Sequence, residues 1–297
     1  MLQEFRRHSA ALAPLPEQRP TLAISACLVG QQVRYDGRHK LSEHRQRLAT
    51  LAELTPFCPE VAIGLGIPRP PIEQRWLAGQ LAVVQVDDWQ QESTAALRDY
   101  AQHLAQVFTQ QRISGYVLTP KSPSCALHSG RVFRADEQVS NTAPGFFVRC
   151  LQTHLPHLPM IEEPDLAQPQ AFSAFLLQAH LYHRWHTAPP QNHAALMQFH
   201  WHHYVQFLAT APSALQGLDA WLQHPGPCQD YLPQALALCA QAGTAQQHRA
   251  ALLVLAEGIN NTGNMPLTQL QRATRAMEHS YFHLLPLFAG VCGGGFV

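Results

Sequence analysis

The hydrophobic pattern of this chain changes character once, near residue 165. Before that point, short apolar runs alternate with stretches of helical period; after it, only the helical period persists. The short runs predict strands at residues 21–27 (TLAISAC), just before Cys58 (TPFCPE), at 81–87 (LAVVQVD), at 114–120 (SGYVLTP) and at 158–161. Helices are expected between them at 41–54, with Ser42 as a cap, and at 145–153. A third, at 93–111, would place Ala96, Leu97, Tyr100, Leu104 and Phe108 on one face. The Gly- and Pro-rich stretch 61–73 reads as a loop. Such alternation predicts an α/β domain built on a parallel sheet with helices on both faces.

The remaining boundaries follow from composition. Residues 1–20 are polar and punctuated by proline, and read as an extension. Residues 21–163 form the α/β domain, IEEPDLAQPQ (161–170) reads as a linker, and 170–297 form a mostly α-helical second domain. Its helices are expected at 172–186, 193–209, 213–224, 232–258 with a break near Gly243, and 266–285. No run approaches the roughly 18 apolar residues needed to span a bilayer, and the N-terminus has no apolar signal core, so the expectation is a cytoplasmic protein with no membrane partner.

Formal net charge is zero, yet the halves differ. Residues 1–160 carry sixteen Lys and Arg against thirteen acidic groups; residues 161–297 carry four Arg and no Lys against seven, with eleven of the eighteen His. A polyanion would be drawn mainly to the first half. The seven cysteines are an odd number scattered along a long chain, which argues against a disulfide framework and for metal-binding, catalytic or buried thiols.

Cys150, Cys228, Cys239 and Cys292 sit among apolar neighbours or in helical stretches and read as packing. Cys27, Cys58 and Cys125 differ, because each follows an apolar strand and enters a loop rich in Gly, Pro, Ser or charge. In parallel sheets ligands gather at the carboxyl ends of strands, where all three would fall. Three converging thiolates can hold zinc with one open position, or an iron-sulfur cubane with one iron lacking a protein ligand. Their spacings do not separate the two.

Three stretches, ISACLVGQQVRYDGRHK, CPEVAIGLGIPRPPIE and LTPKSPSC, resemble the signature segments of the thiouracil desulfurase family, in that family's order. The resemblance covers about residues 21–165 and implies a Rossmann-like domain whose cysteines, here Cys27, Cys58 and Cys125, bind a 4Fe-4S cluster with one open iron. The family commonly has glycine after the third cysteine, where this chain has Ala126. The implied activity is a desulfurase reaction that converts thiolated uracil to uracil with release of sulfide, a non-redox exchange of C–S for C–O.

Proton transfer in such a reaction needs a carboxylate, and Glu60 and Asp36 stand nearest the motif cysteines in sequence, with Ser124 beside Cys125. Glu60 is the first choice. Lys121 and Ser122 can orient a pyrimidine edge, Arg34 and Arg69 can meet an anion, and Tyr35 can stack on a base.

The segment ALMQFHWHHYVQFLA (195–209) resembles the YbgA-type helical domain that accompanies longer desulfurase relatives, some of which act on 4-thiouridine in tRNA. By that resemblance thiolated tRNA is the leading substrate and the helical domain helps hold it, although four Arg with no Lys offer little to phosphates. The aromatics Trp185, Phe199, Trp201 and Tyr204 can stack on bases but read mainly as helix packing. A metal site at His200 and His203 lacks a carboxylate nearby in sequence. Two further readings remain: desulfuration of free thiouracil or small thionucleotides, and an iron-sulfur redox sensor without catalysis. Oligomeric state is open.

Overall fold

The computed structural model describes residues 19–134, 137–223, 226–240 and Gln247. The helices expected beyond residue 240, Cys292 and the part of the extension before Arg19 lie outside those residues. The chain divides into two units, Arg19–Ala167 and the residues from Gln168 onward.

In the first unit four strands form a parallel sheet in the order β2-β1-β5-β8: β1 (Thr21–Ser25), β2 (Glu53–Phe57), β5 (Ile113–Leu118) and β8 (Met160–Glu162). Every residue of β5 is buried, and Leu22, Ala23 and Ile24 of β1 are fully enclosed, as expected of strands covered on both faces. Strand β2 lies on one side of β1 and β5 on the other, so the order reverses between β1 and β5. That reversal leaves a crevice beyond the carboxyl ends of the two strands.

The expected alternation of strand and helix is incomplete, because a second sheet is present. It has the order β4-β3-β6-β7, with β3 (Ile72–Leu77), β4 (Gln80–Gln85), β6 (Gly130–Arg134) and β7 (Glu137–Ala143). Only β3 and β6 pair in parallel; β3–β4 and β6–β7 are antiparallel. The run 81–87, read as part of one parallel sheet, therefore forms an edge strand of this mixed sheet. Its hairpin turns through Ala78 and Gly79, both at positive φ (48° and 81°), the two-residue geometry that matches strand twist. An alanine at such a position gives little warning in sequence.

Helices α1 (Arg45–Leu51), α2 (Pro59–Ala62), α3 (Thr94–Gln110) and α4 (Phe146–His154) complete the unit. Helix α1 stops short of the expected residue 54, because Glu53 and Leu54 already pair with Thr21 and Leu22 in the sheet. Ser42 Oγ accepts from His44 N in the turn ahead of α1 rather than capping it. On α3 the buried face is Leu97, Ala101, Leu104, Ala105 and Phe108, whereas Ala96 is exposed. The segment read as a linker is ordered: Ile161 and Glu162 belong to β8, Glu163–Ala167 form a 3-10 turn with Leu166 buried, and Pro169 opens the next helix.

The second unit contains α5 (Pro169–Thr187), α6 (His193–Thr210), α7 (Pro212–Gln223) and α8 (Tyr231–Cys239). Helix α5 buries residues on nearly all sides, which marks it as the unit's core helix. Trp185 stacks on Tyr231 at 5.8 Å and meets Phe199 edge-on at 5.3 Å. Trp185, Phe199, Trp201 and Tyr204 are all at most 9% exposed, so these rings are committed to packing. Among the described residues, no helix is long and apolar enough to cross a membrane.

Candidate metal centre

The parallel register aligns the strand ends. Ser25 stands opposite Phe57, and Ile24 opposite Val117, so β1, β2 and β5 release their chains at one level. Cys27 comes two residues after β1, Cys58 directly after β2, and Cys125 in the loop after β5. All three thiols are free and line one cavity of about 130 Å³.

Local chemistry fixes each thiol. Cys27 lies in a 3-10 turn, Ala26–Val29, which Gly30 ends at φ 94°. The carbonyl of Cys27 accepts from Lys40 N at 2.9 Å, and its Sγ is 3.0 Å from Thr119 Oγ1. Cys58 precedes α2, whose first turn holds Pro59 and Glu60, the order that a helix start favours. Cys125 N donates to Ser122 Oγ at 3.0 Å, and Ser124 N donates to the same oxygen at 3.2 Å. The loop beyond is clamped by Glu162, which is 2% exposed. Its Oε1 accepts from Leu127 N (2.7 Å), His128 N (2.9 Å), Ser129 N (3.0 Å) and Ser129 Oγ (2.9 Å).

Arg69 ties two loops together at the rim. Its Nε and Nη2 both donate to Glu60 Oε2, at 3.0 and 2.8 Å, and Nη2 also donates to the Val33 carbonyl at 2.9 Å. Its backbone N donates to the Tyr35 carbonyl at 2.9 Å. Arg34, Tyr35, Glu60, Arg69, Lys121 and Ser122 consequently line the same cavity as the cysteines. Two other candidates stand apart from it. Asp36 is bound to Arg38 and Arg34, and Ser124 is fully buried beneath the loop. Sequence reasoning passed over Ser25, Thr119, Pro120 and Glu162; Thr119 was visible inside LTPKSPSC, but its bond to Cys27 spans 92 residues.

Burial pushes the thiols of Cys27 and Cys58 up, and that of Cys125 well up, with the neighbouring thiols adding to the effect at Cys58 and Cys125. Three adjacent thiolates are thus unfavourable here unless a cation compensates them, and metal binding would release their protons. Soft thiolates suit zinc, copper(I) or an iron-sulfur cluster. Zinc holds every sulfur about 2.3 Å from one point. Among the described residues, no three His, Cys, Asp or Glu side chains close on a single-ion position. Thiolates of a cubane bind separate irons, and three soft sulfurs on one cavity wall are a donor set that fits such a cluster.

The other described cysteines, Cys150, Cys228 and Cys239, do not line this cavity. Cys150 is on α4, and Cys239 is buried on α8, accepting from Gln206 Nε2 at 3.0 Å with its thiol pushed up to about 12 by burial. His200, fully buried, contacts Tyr231 Oη at 2.9 Å and Asp219 Oδ1 at 3.0 Å; folding brings it the carboxylate partner that its sequence neighbourhood lacks. His203 donates from Nδ1 to the Phe199 carbonyl and accepts from Arg184 at Nε2. These two imidazoles do not share a ligand position.

The family model for 2-thiouracil desulfurase matches residues 22–163, ending short of the helical unit. Among solved structures, the [4Fe-4S]-dependent thiouracil desulfidase TudS matches at 33% identity, covering 50% of this chain and 95% of that one, with a TM-score of 0.42. No curated protein sequence matches the chain.

Proposed function

The chain belongs to the 2-thiouracil desulfurase family through residues 22–163, and from that membership we propose that it is an enzyme that removes sulfur from thiolated uracil, using a 4Fe-4S cluster held by Cys27, Cys58 and Cys125. The observation that carries this reading is one cavity lined by three free thiols, from three neighbouring parallel strands, together with Glu60 and three basic side chains. Three thiolates are one short of a full set for a four-iron cluster, so when bound it would offer one iron as a soft Lewis acid for sulfur.

The net reaction exchanges a thiocarbonyl for a carbonyl. Water supplies the oxygen and two protons, sulfur leaves as hydrogen sulfide, and no electrons are gained or lost. The chain must therefore bind the ring, orient a water and move protons. Glu60 is the carboxylate on the cavity wall, and Arg69 binds only its Oε2, leaving Oε1 to take a proton from water and return it to sulfur. Tyr35, 44% exposed, offers a face for the base, while Arg34 and Lys121 offer cations for attached phosphate. Ser122 shapes the loop, since its Oγ already accepts two backbone amides.

For substrate, the reading favours 4-thiouridine within tRNA. An exposed tyrosine beside Arg34 and Lys121 suits a base that carries a phosphodiester chain better than a free base, whereas the Arg69 guanidinium is already taken up by Glu60 and the Val33 and Gly66 carbonyls. The helical unit is the part that the family match does not reach, and a supporting role in holding RNA is assigned to it here. Anaerobically reconstituted protein should release sulfide from thiolated tRNA faster than from free 4-thiouridine or 2-thiouracil. Faster turnover of the free compounds would move the assignment to small substrates. A bound cluster with no sulfide release from any of them would leave the redox-sensor reading in place of an enzyme.

A further inference from the structure

Thr119 stands one residue beyond β5, at the point where the strand order reverses, and it lines the cysteine cavity. The last paired residues of β1 and β5 are Ile24 and Val117. Past them, side chains continue the link between the two strands. Thr119 N donates to Ser25 Oγ at 3.1 Å, and Thr119 Oγ1 lies 3.0 Å from Cys27 Sγ. Ser25, Cys27 and Thr119 are all buried.

In the metal-free protein either the hydroxyl or the thiol can donate across the 3.0 Å contact. A cysteine that ligates metal is a thiolate and has no proton to give, so with Cys27 as a ligand the donor must be the threonine hydroxyl. The bond is then assisted by the charge on sulfur. The hydroxyl is already in place for it. The bond from Thr119 N to Ser25 fixes the backbone, and a β-branched side chain has a stiff χ1. At Cys58 the arrangement is the reverse, since its sulfur faces the Val33 carbonyl at 4.0 Å, an acceptor with nothing to donate to a thiolate. Cys27 and Cys58 are therefore unequal as ligands.

We infer that Thr119 is a positioning residue that donates its hydroxyl proton to the Cys27 thiolate and thereby tunes the cluster that Cys27 helps to hold. The inference rests on the cluster assignment above. A hydrogen bond to a ligand sulfur draws electron density away from iron, raises the reduction potential and makes the cluster harder to oxidise. Resistance to oxidation matters for a cluster with an open iron.

The test compares wild type with Thr119→Val, which keeps the shape of the side chain, and Thr119→Ser, which keeps the hydroxyl, each reconstituted anaerobically with iron and sulfide. Thr119→Val should shift the midpoint potential to lower values, reduce the shift that D2O produces in the Fe–S stretching bands of wild type, and bleach several-fold faster in air. Thr119→Ser should keep the wild-type potential and the deuterium shift. Cluster uptake by the serine variant but not the valine variant would also support the inference, because it would make the hydroxyl a condition of binding. A valine variant with wild-type potential and spectrum would overturn it. So would two variants that depart from wild type alike, or that both fail to load, since Thr119 would then act through packing. Wild-type protein that takes up no iron and sulfide would instead overturn the cluster assignment, and this inference with it.

Discussion

Arg69 grips Glu60 by a single carboxylate oxygen, with Nε and Nη2 at 3.0 and 2.8 Å from Oε2, while both side chains are largely buried at 5% and 12% exposure. The fork sets the plane of the carboxylate and leaves its second oxygen toward chemistry. Lysine carries the charge but not the fork. Arg69→Lys should keep the cluster spectrum and lower turnover by about 10–100-fold, the usual effect of loosening a group that orients an active-site residue. Sulfide release with unchanged rates would disconnect this pair from the reaction.

Glu60→Gln keeps the shape of the side chain and a carbonyl acceptor for Arg69, but it cannot take up a proton. Turnover should fall by about 100-fold or more, while iron and sulfide content stay at the wild-type level. Retained activity would assign proton transfer elsewhere.

Replacing Cys27, Cys58 or Cys125 by Ala should each abolish the brown chromophore of anaerobically reconstituted protein. Cys150→Ala should leave it intact, because Cys150 projects from α4 and is absent from the cavity lining. A chromophore that survives in the Cys58 variant would overturn the ligand set.

Gly145 packs directly beneath the third cysteine. A Cβ there would stand 2.4 Å from both the carbonyl carbon and oxygen of Ser124 and 2.8 Å from Cys125 N, all backbone atoms with little room to yield. Gly145→Ala should destabilise the protein by about 1–3 kcal/mol and weaken cluster binding by displacing Cys125. Denaturant midpoints and iron content after reconstitution measure both; wild-type values in each would show that the loop relaxes without loss.

Burial alone would raise the Glu162 carboxyl, but the donors of His128, Ser129 and Leu127 outweigh it and hold it below its ordinary value of 4.5. Because the folded value is the lower one, the stabilisation is present above pH 4.5 and is lost as pH falls through the folded value. Glu162→Gln should therefore lose stability at pH 7 and show a flatter decline than wild type below pH 4.5. Urea midpoints across pH 3–7 test this, and parallel curves would remove Glu162 from the acid response.

How much of this was legible differs from place to place. The short apolar runs marked β1, β2 and β5, and the loop chemistry after each singled out Cys27, Cys58 and Cys125 from the other cysteines. The second sheet was not foreseen, because an Ala-Gly turn lacks the usual hairpin residues and β6 and β7 lack a clear alternating pattern. Asp36 and Ser124 were close to the cysteines in sequence, yet neither reaches the cavity. Glu162 and Thr119 were remote from the cysteines they support, by 37 and 92 residues, and proximity along the chain gave no hint of them.

By itself the sequence determined which residues have the right chemistry: soft thiols, a carboxylate, basic groups and apolar strands to carry them, because residue type and local periodicity are properties of short segments. Only the tertiary structure decided which of those residues meet. Convergence of the three thiols depends on the order β2-β1-β5 and on a shared register, and the hold on the Cys125 loop depends on β8 delivering Glu162 to three backbone amides. Both are long-range hydrogen-bonding outcomes, and no local stretch of chain encodes them alone.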